Sequence, residues 1–216
     1  NINILNPTPN PAVFNTGNNF DLSAIVTLRI YATYQIIASH ILDKSDSFVS
    51  LKELDLIIQT GGEDWTINPT FDFSPFSKIN KFKKLSAIGI NTSANRFSLE
   101  IQEKIFFNLT LPNSLTEFKL VSVISNIIDV GYKELQQALA SAKNIKKISL
   151  IMTLKENLTK QITDYLIEIF KQHQLLETMD LAIDPNLNIK RYKPFDIHRL
   201  FEECQNLSEL RSMKIS

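Results

Sequence analysis

Residues 132–150 read YKELQQALASAKNIKKISL, and the spacing of apolar residues changes once within them. Tyr132, Leu135, Leu139 and Ala142 recur at the interval of a helix face, whereas Ile145, Ile148 and Leu150 close onto the two-residue step of a strand. The strand part is a six-residue phrase: apolar, two free positions, apolar, one free position, apolar. The phrase recurs at Leu51-Leu54-Leu56, Leu85-Ile88-Ile90, Leu115-Phe118-Leu120 and Leu176-Met179-Leu181, with first members 34, 30, 30 and 31 residues apart. A fixed period of this kind marks a stacked repeat. Ile25-Leu28-Ile30 fits the same phrase 26 residues ahead of Leu51 and makes a first strand. For the last copy, Leu207-Leu210-Ser212 keeps the spacing and Leu210-Met213-Ile215 keeps the apolar pattern. The second register is preferred.

Alternate residues of an extended chain point to opposite faces, so the second and third apolar members of each phrase enter the core together. Between phrases the period returns to that of a helix. Over 158–174, Leu158, Ile162, Tyr165, Leu166, Ile169 and Phe170 fall on one side, with Lys160, Asp164, Glu168 and Lys171 on the other. Ile197, Leu200, Phe201 and Cys204 form the corresponding stripe of the next unit, and 98–109 and 32–42 are less regular helices. One unit cannot cover its own apolar face, so units are expected to stack, strand beside strand and helix beside helix. The expected fold class is α/β: a right-handed solenoid, or horseshoe, of about six to seven strand–helix repeats with a parallel sheet on the concave face. It should span 22–216, after an irregular lead-in over 1–21 rich in proline and asparagine. A doubly wound α/β domain is the structural alternative, and it needs no fixed period.

The phrase, the intervening helix and the period near thirty resemble the leucine-rich repeats of the ribonuclease-inhibitor type, most closely at 132–150. The resemblance covers residues 22–216 and implies a horseshoe whose concave sheet takes protein partners, with no common reaction. The chain departs from the family three residues past each phrase, where the usual asparagine or cysteine is replaced by Gln59, Ser93, Val123, Thr153 and Asp184. No side-chain ladder is carried over.

Composition narrows the function. Basic and acidic residues balance at 23 each, which leaves no global field for nucleic acid or an anionic membrane surface. Apolar runs are broken by charge well before a membrane-spanning length, so no membrane insertion is expected. The single cysteine, Cys204, excludes an internal disulfide and suits a reducing compartment, so the expected location is cytoplasmic. Sequons at Asn91, Asn108, Asn157 and Asn206 matter only in a secretory protein, and 19 asparagines make chance matches common. The chain begins at Asn1 and ends at its last strand without a polar capping unit. It is therefore expected to be a fragment of a longer chain, or to have its end covered by a partner.

Chemical motifs are sparse. Five glycines supply neither a dinucleotide fingerprint nor a phosphate loop, and His40, His173 and His198 lack metal-ligand spacing. Cys204 shares an apolar stripe and reads as a buried, inert thiol. Glu202-Glu203 and Asp164/Glu168 read as solvated helix faces, and Lys143, Lys146 and Lys147 as an exposed turn. No catalytic, cofactor-binding or metal residue is assigned.

The free positions of each phrase do make a residue-level prediction, because they must point away from the core. Arg29 and Tyr31, Glu53, Asp55 and Ile57, Glu117, Lys119 and Val121, Lys147 and Ile151, and Asp180 are the expected partner-binding residues. Acidic Glu53, Asp55 and Glu117 stand near basic Lys119 and Lys147, so much of the charge is expected to compensate internally, and the face is not a single-sign groove. Tyr31, Ile57, Val121, Ile151 and Ala182 form an apolar row interrupted by Asn91, which serves either as a docking margin or as a bed for returning chain. Trp65, in Gly61-Gly62-Glu63-Asp64-Trp65, reads either as a projecting anchor or as packing with Phe71, Phe73 and Phe76 over a core edge. The function these residues suggest is a non-enzymatic interaction module or scaffold subunit that binds another protein through the sheet face or a solenoid end. The alternative is a regulatory subunit, such as a ubiquitin-ligase substrate receptor or a small-GTPase activator.

Overall fold

Each apolar phrase becomes a strand, and the strands lie side by side in the order of the chain. The computed structural model describes residues 2–5, 21–59, 71–93, 99–124, 128–154, 160–184 and 196–216. One sheet contains β1 (Ile2–Leu5), β2 (Thr27–Thr33), β3 (Glu53–Gln59), β4 (Ala87–Asn91), β5 (Glu117–Ile124), β6 (Lys147–Leu154), β7 (Thr178–Asp184) and β8 (Ser212–Ile215). All neighbours are parallel. A doubly wound sheet reverses its strand order at a switch point. Here the order is β1 to β8 without a reversal.

Helices alternate with the strands. α1 (Tyr34–Ile36) runs on as a π-helical segment, Ile37–Leu42, and is followed along the chain by a 3-10 helix, Ser74–Lys81. Then come α2 (Leu99–Asn108), α3 (Ile128–Ala140), α4 (Lys160–Lys171) and α5 (Ile197–Cys204). Each packs on the next, α2 on α3, α3 on α4 and α4 on α5. The apolar members of the phrases are buried between the helices and the sheet, except Leu210, Met213 and Ile215 of the last copy, which are half-buried.

Register is set by the phrases themselves. Leu28, Leu54, Ile88, Phe118, Ile148, Met179 and Met213 are aligned across the sheet, and so are Ile30, Leu56, Ile90, Leu120, Leu150, Leu181 and Ile215. The last strand therefore uses the Leu210-Met213-Ile215 register. A slip of one residue would turn each apolar set to the opposite face, and this locks the pairing.

The structure extends the phrase backward by three residues. Leu22, Phe48, Phe82, Pro112, Ala142, His173 and Leu207 each precede the first apolar member by three. In six of the seven units the backbone N–H of that first member donates to this residue's carbonyl, from Leu176 to His173 at 3.0 Å and from Leu51 to Phe48 at 3.3 Å for example. A second backbone device joins successive units. The carbonyls of Val26, Lys52, Ser86, Thr116, Lys146 and Glu177 each accept two N–H donors from the following unit, as when Ser86 and Ala87 donate to Lys52 at 2.8 and 3.0 Å. No side chain is needed for either bond, so the junction tolerates any residue with a free N–H.

Two features, at the first strand and at Phe201, differ from the sequence expectations, and a third fills in a stretch for which no element was expected. Ile2–Leu5 lies in the stretch read as irregular, yet pairs with β2, because Ile2 and Ile4 keep the strand alternation ahead of the prolines. Residues 74–81 form a 3-10 helix beginning with Pro75 near its first position, where the ring suits a helix start. There Phe73 stacks on Tyr34 at 5.2 Å and Phe71 meets both edge-on, so these aromatics fill the core edge. Phe201, expected on the buried stripe, is 43% exposed, whereas its counterpart one unit earlier, Ile167, is 3% exposed. Ile167 sits on α4, which α5 covers; among the described residues no helix follows α5.

Two polar residues occupy columns that are otherwise apolar. His173 takes the place filled by Phe48, Phe82 and Leu207, and Ser45 the place filled by Ile79, Leu139 and Phe170. His173 is fully buried, neither ring nitrogen has a hydrogen-bond partner, and Ser45 Oγ has none either. Desolvation pushes the imidazole pKa from 6.5 down to about 4. A lowered folded pKa means that the unfolded chain binds the extra proton between these values, so this contribution is complete above pH 6.5 and is lost as pH falls toward 4. The loss is about 3 kcal/mol at most. Denaturant titrations should show His173→Leu more stable than the parent at pH 7, with a shallower decline from pH 6.5 to 4. An unchanged decline would contradict this account of the imidazole.

Candidate functional site

Strand alternation leaves one face of the sheet uncovered by helices, and all the described partner-binding candidates stand on it. Arg29, Asp55, Lys119 and Asp180 share its middle row with Gly89, Ser149 and Lys214. Glu53, Glu117 and Lys147 share the row beside it with Thr27 and Ala87, and Tyr31, Ile57, Val121 and Ile151 form the third row with Asn91 and Ala182. Trp65 lies outside the described residues. The third row is half-buried along its length. It is an apolar margin beside two rows of polar and charged residues.

Register brings opposite charges together on neighbouring strands. Arg29 Nε lies 3.0 Å from Asp55 Oδ2, and Lys147 Nζ lies 3.5 Å from Glu117 Oε2. The Thr27 hydroxyl donates to Glu53 Oε2 at 3.2 Å, and Gln59 Nε2 donates to the Tyr31 hydroxyl. The two exposed ion pairs each contribute little to stability, from nothing to about 1 kcal/mol. They fix where the side chains point.

Between them lies a shallow trough of about 470 Å³. Its floor is β4, which presents Ala87 and Gly89, while charged side chains rise from β3 and β5 on either side. The Asp55 carboxylate leans into the space over Gly89: a Cβ there would stand 2.7 Å from Asp55 Oδ1. Of the three cations lining the trough, Arg29 and Lys147 are ion-paired, and among the described residues Lys119 is not. Ser149 also lines it, only 7% exposed.

The other candidate chemistry is dispersed. The Cys204 thiol is buried, and burial, with Glu203 beside it, pushes its pKa up to about 11. Glu203 pairs with Lys171 at 2.6 Å and Asp164 with Arg199, which ties neighbouring helices together on their outer side. Lys146 bonds Glu177 at 2.8 Å and holds that carboxyl below its usual range. A buried polar cluster escaped the sequence reading: the hydroxyls of Thr92 and Ser122 both donate to Gln102 Oε1, at 3.1 and 2.8 Å. Thr92 and Ser122 fall on the inward alternation of β4 and β5, and that position was the available signal. No helix among the described residues is long and apolar enough to cross a membrane.

The chain matches no protein-family model, and comparison with curated proteins gives no significant sequence match.

Filling the trough floor offers a direct check on this geometry. Gly89→Ala gains the strand preference of a side chain, about 0.5–1 kcal/mol, and displaces only the flexible tip of Asp55. Chemical denaturation should place the variant within about 1 kcal/mol of the parent. A loss of several kcal/mol would mean that the backbone, and not the Asp55 tip, had to move.

Proposed function

We propose that this chain is a non-enzymatic protein-interaction module or scaffold subunit, a divergent leucine-rich repeat of the ribonuclease-inhibitor kind. Helices are about 10 Å across and strands about 4.8 Å apart, so a one-sided stack bends with the sheet inside. On this reading the units form a right-handed horseshoe, and the uncovered sheet face is its concave surface. The observation that carries the proposal is the one-sidedness of the sheet: its outer rows combine an apolar margin with oriented charges of both signs. Interfaces of this composition hold protein partners, with the apolar part supplying affinity and the charges orientation.

The test is affinity purification of the tagged chain from its native source, with mass-spectrometric identification of what is retained. Glu53→Lys with Asp55→Lys and Lys147→Glu is expected to reduce recovery of at least one specific protein about tenfold, a cost near 1.4 kcal/mol. Phe107→Asp, on an exposed helix position, should leave it bound. Retention of every partner by the first variant would refute use of the sheet face.

A further inference from the structure

We infer that the trough over β4 seats an extended segment of a partner protein carrying one basic and one acidic side chain, the basic one toward Glu53 and the acidic one toward Lys119 and Ser149. The inference rests on the reading of the open sheet face as a docking surface, and it specifies the chemistry of what docks there.

Charge pairing within the trough is incomplete in a particular way. Six charged residues line it, three of each sign. Arg29 is paired with Asp55, and Lys147 with Glu117. Two charges are left over. Among the described residues Glu53 receives only the Thr27 hydroxyl, and Lys119 has Gly89 on one flank and Ser149 on the other, neither of which is acidic. The residual field is a dipole across the trough, negative at β3 and positive at β5. A single-sign ligand would satisfy one pole and meet repulsion at the other, whereas a segment with both signs satisfies both.

Ser149 points independently to an acceptor near Lys119. Its residue is more than nine-tenths buried, it lines the trough, and it stands beside Lys119 on the neighbouring strand. A hydroxyl held in that position, next to an unpaired ammonium, is a ready donor pair for a carboxylate. The small floor at Ala87 and Gly89 gives the width of one chain. Crossing from Glu53 on β3 to Lys119 on β5 spans two strand spacings, about 10 Å, and two residues along the strand, about 7 Å, hence about 12 Å on the diagonal. In an extended segment, residues four apart face the same way about 13 Å from each other. The matching spacing is therefore a basic and an acidic residue at i and i+4.

The probe is the synthetic peptide acetyl-GGKGSGDGG-amide, titrated into the isotope-labelled chain and followed by backbone amide shifts. Controls replace its lysine, its aspartate or both with serine. The two-charge peptide should bind at least about threefold more tightly than either single-charge control, with shifts centred on Ala87, Gly89, Lys119 and Ser149. Glu53→Gln and Lys119→Gln should each weaken it about threefold, and Ser149→Ala should weaken the two-charge and aspartate-only peptides alone. Glu53→Gln with Lys119→Gln keeps the net charge and should abolish the preference; if this variant loses its dispersed spectrum, the two single glutamine variants decide. Shifts centred elsewhere, equal binding of all four peptides, no binding of any, or indifference to Glu53 and Lys119 would overturn the inference. Should the peptides fail while the partner captured by affinity purification still depends on the sheet face, the docking reading stands and only this assignment falls.

Discussion

The junction between units rests on one backbone arrangement, a carbonyl just ahead of each strand that takes two N–H donors from the unit that follows. Val26, Lys52, Ser86, Thr116, Lys146 and Glu177 fill this role in turn, and their side chains have nothing in common. The bond closes the junction in the observed register without using any side chain. The apolar phrase then makes that register the only one in which both of its inward members are buried. Backbone and core agree at every junction, which is the condition for one stable packing.

Much of this was legible because the phrase is both a local pattern and a pairing code. Leu51-Leu54-Leu56 and its copies define the strands, their parallel order and the residues of the open face. Charge pairing was half legible: Glu117 and Lys147 are visible as compensating charges, but Arg29 meeting Asp55 depends on the register between β2 and β3. The trough was not foreseen, because small residues at Ala87 and Gly89 carry no chemistry of their own. Their meaning comes from taller neighbours on β3 and β5.

What escaped the sequence has identifiable physical origins. Ile2–Leu5 is too short for its period to stand out beside three prolines. His173 looked like an isolated histidine until the phrase was extended by three residues, when it became a polar substitution in an apolar column. Thr92, Ser122 and Gln102 are separated along the chain and meet only when α2 is laid on β4 and β5. Phe201 was misplaced because a helical stripe reports which side is apolar, not whether a neighbour arrives to cover it.

Strand alternation also separates two kinds of selection. Residues of one parity hold the core, and those of the other meet the surroundings, with only the thickness of a β-strand between them. Substitutions at the outward parity can therefore accumulate without disturbing the lattice beneath. If the open face docks a partner as proposed, rewriting alternate letters of each strand would change that partner and leave the core untouched.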